Sequence, residues 1–355
     1  GLIIKRKKVV FIGILIFFHF ISSLKFLPLK YILSKIFEPK MVIEQFFFIY
    51  LFAWLKCVKP KVVLTFIDND WFFQRMSKLY NQAEFLAIQN GARLKVNVTT
   101  VLPKYPHPGY KIYLSNFYCF GQREKYLYTK YNHEVKKFIP IGSIKSSFYK
   151  ENIHKNQLFN DNNEILLISQ WDRILMKGNL YTEIKDNKYK LINFLSMYAK
   201  KNNVKINIIL RSDDENEKFF YKNIFKKSCK IYMNNFLTMS AYDIVFNTKA
   251  IIVNMFSTLG TLECFAKGIP TMIYWNKIYS KEAEHSKKDF KKLEKSGILF
   301  YEIDELIVAL NVFFKNPHKW ISSKKRKQSL YEFCNKYALT DSSWSKIWKT
   351  KLNSI

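Results

Sequence analysis

The chain has 355 residues, enough for two domains that each bury a core of their own. Hydrophobic residues make up 48% and aromatic residues 17%, which excludes a disordered chain. Lys and Arg number 58 against 28 Asp and Glu, a formal charge of +30, so the expected partner is anionic: nucleic acid, an anionic bilayer or a phosphorylated ligand.

Two features argue against nucleic acid. Most of the basic excess is lysine in a chain also heavy in Asn, Ile and Tyr, a composition that an AT-rich genome produces without selection for binding. Neither zinc-finger spacing nor an RNP-like aromatic motif is present. Cys57, Cys119, Cys229, Cys264 and Cys334 are odd in number and lack CxxC spacing, the pattern of reduced core cysteines in a cytosolic protein. The six histidines are dispersed, without HExxH, so no metal site is expected.

In chain order, the first segment is "VVFIGILIFFHFISSL" (9–24), apolar but short for a membrane span and interrupted by His19. Lys5, Arg6, Lys7 and Lys8 precede it as in a signal peptide, but no clear small-residue cleavage site follows. A buried strand followed by a surface helix is one alternative. The other is an interfacial segment, since "KFLPLKYILSKIFEPK" mixes lysines with large apolar side chains, and residues 1–60 carry ten Lys/Arg against two Glu. The expectation is contact with an anionic membrane surface without crossing it.

"KPKVVLTFIDND" (59–70) is a β-branched run delivering Asp68, Asn69 and Asp70 at its C-terminal end, and "WFFQRMSKLY" then reads as helix. "EFLAIQNGARL" (84–94) repeats the unit, with Gln89, Asn90 and Arg93 about an Asn-Gly bend. "NFYCFGQREKYLY" (116–128) and "KFIPIGSIKSSFY" (137–149) give a third and a fourth. A polar, weakly patterned stretch at 150–163 reads as a linker. Strands then alternate with helices: "EILLISQ", a helix near 186–200, "VKINIILR", "DENEKFFYKNIF", "CKIYM", "KAIIVNM", a helix over Thr258–Lys267 and "PTMIYW". That alternation predicts parallel sheets in two facing Rossmann-like, doubly wound α/β domains, 1–155 and 156–330. The last segment, 331–355, carries Trp344 and Trp348 on one helix face and is expected to pack back across the domains.

The most specific stretch is "NMFSTLGTLECFAKGIPTMIYWN" (254–276). Ser257 and Thr258 fall where a helix N-cap belongs after a strand, so unpaired backbone N–H groups would meet an anion there. The hydroxyls of Ser257, Thr258 and Thr261 add donors, and Gly260 allows close approach. Glu263, one turn further on, can accept ribose hydroxyls. An ordinary capped helix with an exposed glutamate is the alternative on these residues alone.

"SAYDIVFNTKAIIVNMFSTLGTLECFAKGIPTMIYW" resembles the donor-binding segment of glycosyltransferases of the GT-B fold. "KPKVVLTFIDNDWFF…EFLAIQNGAR" is similar to the N-terminal domain of bacterial surface-polysaccharide transferases, of lipopolysaccharide or capsule type, which are distantly similar to glycerophosphotransferases of teichoic acid synthesis. The likeness covers roughly 59–275. It implies sugar transfer from a nucleotide-sugar donor to a lipid-linked or oligosaccharide acceptor at the cytoplasmic membrane face. Ser257, Thr258 and Gly260 would hold the phosphates and Glu263 the ribose. The family segment often has Glu-Ala where this chain has Glu263-Cys264-Phe265, and His107-Pro108 lies in the first half, so the sugar is not assigned.

Asp68 and Asp70 are candidate bases for an acceptor hydroxyl, Asp68 ahead of Asp70, with the other expected to cap the helix beginning at Trp71; a structural role for both is the alternative. Asn69, Gln89, Asn90 and Arg93 are candidate acceptor contacts. Arg173, Lys177 and Arg211 could stabilise the leaving nucleotide without a metal, arginine being suited to bidentate phosphate contact. Two other functions stay open on the sequence: a CDP-polyol phosphotransferase of teichoic acid type, and a basic nucleic-acid-binding protein.

Overall fold

The computed structural model describes residues 6–26, 39–91, 111–130, 133–144, 147, 163–168, 180–210, 215–225, 229–233, 251–254, 258–275, 282, 284–341 and 343–354. The N-terminal segment is helical. Helix α1 (Arg6–Ser23) runs into a 3-10 turn (Leu24–Phe26), and α2 (Pro39–Val58) packs along it. A buried strand over 9–24 is therefore not what forms. A run apolar on every side carries no period that separates strand from helix, and this one has the length of a helix with a second helix to pack on. Among the described residues no helix is long and apolar enough to cross a membrane.

The first sheet consists of β1 (Val62–Thr65), β2 (Glu84–Ile88), β3 (Tyr113–Cys119) and β4 (Glu134–Pro140), all parallel and in that spatial order. Helix α3 (Trp71–Leu79) follows β1 and α4 (Arg123–Lys130) follows β3. The alternation of side chains along β2 decides what covers each face. Phe85 and Ala87 point into a cluster with Phe48 and Phe52 of α2, Phe73 of α3 and Tyr128 of α4. Leu86 and Ile88 point the other way, where a helix from the C-terminal part of the chain (Trp344–Asn353) supplies Trp348.

The second sheet is β5 (Glu164–Ile168), β6 (Lys205–Leu210), β7 (Cys229–Met233), β8 (Ile251–Asn254), β9 (Thr271–Tyr274) and β10 (Leu299–Phe300). Its spatial order is β10-β9-β8-β5-β6-β7, parallel throughout. Its interior strands are continuous apolar runs because both faces are covered. On one face lie α5 (Leu180–Asn202), α6 (Glu215–Phe225), and α9 (Ile303–Lys315) with its neighbour α10 (Pro317–Ser322). On the other lie α7 (Thr258–Ala266), α8 (Lys287–Lys295) and α11 (Lys324–Tyr337). Both halves are thus parallel-sheet domains of Rossmann-like, doubly wound type. The change of sheet falls between Pro140 and Glu164.

Residues 331–355 are not one helix. They hold the end of α11, a crossing segment, and α12 (Trp344–Asn353). The crossing segment runs over the C-terminal ends of β3 and β4. Leu339 N donates to Phe120 O (2.9 Å), Ser143 N to Leu339 O (3.3 Å), and Asp341 N to Ser147 Oγ (3.2 Å). Beyond it Trp348 meets the Tyr118 ring at 4.7 Å between centroids. Two glycines permit this approach. A Cβ at Gly121 would lie 2.0 Å from Lys336 O, and one at Gly142 would lie 2.0 Å from Leu339 O, with φ at +84° besides. Gly142→Ala therefore meets a steric clash with main chain and a left-handed backbone at once. It should destabilise the protein by more than about 2 kcal/mol in urea unfolding, and a change within about 0.5 kcal/mol would show that the contact is not tight.

Candidate functional site

Pairing β8 with β5 rather than with β7 reverses the strand order of the second sheet. Ile168, the last residue of β5, is in register with Asn254, the last of β8. The helices that follow these two strands, α5 and α7, lie on opposite faces of the sheet; in open α/β sheets ligands bind in the crevice at the carboxyl ends of the strands at such a switch point. The segment leaving β8 enters α7 four residues later, at Thr258. The first turn of α7, with its unpaired N–H groups, therefore stands at the switch point. Thr261, in that helix, is 1% exposed, and its Oγ1 has no hydrogen-bond partner among the described residues. Leu262 and Phe265 lock the helix onto Ile273 and Phe333, while Cys264 fills the sheet side with Leu166 and Ile252. The bulky Cys264-Phe265 pair is thus accommodated as core.

The backbone of Thr258, Gly260 and Glu263 belongs to α7; the side chains of Thr258 and Glu263 lie outside the described residues, as does Ser257. Arg173, Lys177, Arg211 and Arg93 also lie outside the described residues. By chain position Arg173 follows the end of β5 and Arg211 directly follows β6.

At the carboxyl edge of the first sheet the polar residues form one network. Asp68 is fully buried. Its Oδ1 accepts from Asn90 N (3.0 Å), its Oδ2 from the Tyr128 hydroxyl (3.0 Å), and its carbonyl from Gln74 Nε2 (2.9 Å). Asp70 caps α3: its Oδ1 accepts from Phe72 N (2.8 Å) and Phe73 N (3.3 Å). Asn69 Oδ1 accepts from Asn90 Nδ2 (3.2 Å), and Asn90 is exposed. Gln89 is buried and works as a bracket. Its Nε2 donates to Glu124 Oε1 and to Gly91 O (both 2.8 Å), and its Oε1 accepts from Phe120 N (2.6 Å). Asn69 and Asn90 are the carboxamides this network leaves exposed or half-exposed, and Asp68 holds the main chain of Asn90.

Two groups here are absent from the sequence reading. Glu124 is a buried carboxylate in the first turn of α4, where the helix dipole favours it. Its acidic position after "FGQR" was visible, but its pairing with Gln89 was not. The second group lies where α4 meets α8 and α11. The His285 ring lies 6.3 Å from that of Tyr126 and 6.4 Å from that of Tyr337, tilted to both. Burial, then the charges of Arg123 and Lys130, push its imidazole down to about 4 against the opposing pull of Asp289. It is therefore neutral at physiological pH. Asp289 accepts from Tyr337 (2.7 Å) and Lys336 (2.6 Å), which ties α8 to α11. Glu282 accepts from the Tyr301 hydroxyl beside it. Among the described residues no group of three His, Cys, Asp or Glu could hold a metal.

Over residues 39–352 the sequence matches the pattern of the LIC12162 family transferases. The chain belongs to that family. No curated protein matches it by sequence. Among solved structures, one described as a UDP-N-acetylglucosamine 2-epimerase of Listeria monocytogenes superposes with a TM-score of 0.54 at 12% identity, over 86% of this chain and 77% of that one. The UDP-GlcNAc 2-epimerase of Neisseria meningitidis bound to UDP-GlcNAc gives 0.52 at 13%, over 89% and 82%. At these identities the likeness shows the fold: the two-domain GT-B architecture.

Asp68 offers a sharp test of the network in this transferase. Asp68→Asn replaces one buried acceptor by a donor facing either Asn90 N–H or Tyr128 O–H, and should lower stability by about 1–3 kcal/mol. Tyr128→Phe should lower it less, and the double variant should be less than additive. Strict additivity in denaturant titrations would contradict the Asp68–Tyr128 bond.

Proposed function

We propose that this transferase moves a sugar from a nucleotide-sugar donor to a growing bacterial surface glycan of lipopolysaccharide or capsule type. The acceptor is lipid-linked or an oligosaccharide, and the reaction takes place at the cytoplasmic face of an anionic membrane. The observation that carries this is the start of α7 at the switch point between β5 and β8. It supplies backbone donors for a diphosphate in the one crevice of the second sheet where the topology favours a ligand. Membership of a transferase family, and a fold shared with proteins whose names include UDP-N-acetylglucosamine, agree with a nucleotide-sugar donor.

In this scheme the first-turn N–H groups of α7 and the hydroxyls of Ser257, Thr258 and Thr261 receive the phosphates. Gly260 leaves room for them, and Glu263 accepts from the ribose. Arg173, Lys177 and Arg211 follow β5 and β6 and neutralise the charge that develops on the leaving nucleotide. On the acceptor side Asn69 and Asn90 orient the sugar hydroxyl, with Gln89 bracing them and Arg93 available to an anionic acceptor. Of the two aspartates, Asp70 is the better base. It is half-exposed with one oxygen in the helix cap, whereas Asp68 is sealed from solvent and both its oxygens are engaged.

A thermal-shift screen of UDP, GDP, CMP, CDP and dTDP sugars should find one nucleotide that raises the melting temperature, since a ligand of the folded state stabilises it. Glu263→Gln should then weaken that nucleotide about 10- to 150-fold by calorimetry, the loss of one charge-assisted hydrogen bond. An unchanged affinity would remove Glu263 from the ribose contact.

A further inference from the structure

The outer faces of α1 and α2 are apolar where a water-facing helix is polar. On α2 the residues Ile43, Phe46, Phe47, Tyr50 and Trp54 recur at helical spacing, and all are exposed, Phe47 at 52% and Trp54 at 42%. The opposite stripe of the same helix, Phe48, Ile49, Phe52 and Leu55, is already buried in the core of the first domain. Helix α2 is thus apolar all round, the composition of a helix surrounded on every side. On α1 a second stripe faces solvent, with Phe17 at 60% and Phe18 at 64% exposure. Lys56 Nζ donates to Ser23 Oγ (3.2 Å), so the C-terminal ends of the two helices lie side by side.

Charge indicates what covers these stripes. No charged residue interrupts 9–24 or 45–55, while Arg6, Lys7, Lys8, Lys25, Lys40, Lys56 and Lys59 outnumber Glu38 and Glu44 at the ends of the helices. Lys56 is held below the ordinary lysine range by burial first and by the nearby charge of Lys25 second. Apolar, aromatic middles with basic ends are complementary to a bilayer interface with anionic headgroups. They do not suit a second copy of a +30 chain, which would bring like charges together.

We infer that α1 and α2 form a monotopic docking surface that inserts its aromatic stripes into the interface of an anionic bilayer and sets the acceptor edge of the first sheet against it. The contact path runs through aromatic rings. Phe47 on the exposed stripe lies 6.1 Å from Phe72, which stacks on Trp71 at 4.1 Å, and Trp71 begins α3 directly after Asp70. Phe66 and Ile67, in the loop that leads to Asp68, are exposed as well. A glycan carried on a lipid would emerge from the membrane beside Asn69 and Asn90. The inference rests on the membrane placement proposed above and is independent of the donor chemistry.

The full chain should co-sediment with vesicles of phosphatidylcholine containing phosphatidylglycerol, with weaker binding to phosphatidylcholine alone. Trp54 emission should shift to the blue and be quenched by brominated lipid. The triple variant Ile43→Ser, Phe46→Ser, Tyr50→Ser alters only outward side chains and should bind at least about 100-fold less, as expected for removing three apolar groups from an interface. Retention of the nucleotide-induced thermal shift in that variant would show that it is folded. Undiminished vesicle binding in the triple variant, or no quenching of Trp54, would overturn the inference. So would a concentration-dependent dimer in sedimentation velocity that the triple variant abolishes, since a second copy would then cover the stripes. Failure of vesicle binding with the nucleotide shift intact refutes the docking surface alone, whereas loss of the nucleotide shift with vesicle binding intact refutes the donor proposal alone.

Discussion

The pairing of β8 against β5 is the constraint on which the functional geometry depends. The two strands are far apart in sequence, and the register Leu167↔Val253 and Ile168↔Asn254 brings their carboxyl ends level. β6 and β7 continue on one side of β5 while β9 and β10 continue on the far side of β8, and the helices that follow β5 and β8 cover opposite faces. The start of α7 is then held over a crevice by packing that has nothing to do with a ligand: Leu262 and Phe265 against one layer, Cys264 against the other. A helix terminus positioned this rigidly loses little entropy when it receives an anion, which is the usual condition for tight and oriented binding.

A second constraint couples the halves. Helices in the first sheet's own crossovers, with α2, cover one face, and among the described residues α12 covers part of the other. The chain crosses back over Gly121 and Gly142 and brings Trp344 and Trp348 to that side of β2 and β3. The cost is a close backbone approach at two points. The gain is a closed core for the first domain and a fixed return path from the second. The neighbouring Asp289–Tyr337–Lys336 group, with His285 kept neutral between Tyr126 and Tyr337, fastens the same region by hydrogen bonds rather than by apolar contact.

Between residues 59 and 275 the elements were legible because parallel strands buried on both faces are short apolar runs, as in "EFLAI", "EILLI" and "KINIIL", each ended by polar or glycine residues. Asp70 as a cap was legible for the same local reason. The N-terminal helices were not, since an apolar run without period favours neither strand nor helix. The order of the strands was out of reach, because nothing local in "IIVN" says that it pairs with "EILLI" rather than with "CKIYM". The role of Gln89 was hidden likewise. Its partners Phe120 and Glu124 lie 31 and 35 residues away, and only the folded sheet brings them together. Asp68 illustrates the limit most clearly: its place at a strand end suggested a base, and its burial shows a residue that braces Asn90 and Tyr128.

The proposal that the donor's diphosphate binds at the switch point of the second sheet is tested most directly by a crystal structure with the nucleotide bound. Phosphate oxygens should lie within hydrogen-bonding distance of the backbone N–H groups at the start of α7, between the carboxyl ends of β5 and β8. A nucleotide found instead along the carboxyl edge of the first sheet, beside Asn69 and Asn90, would contradict it.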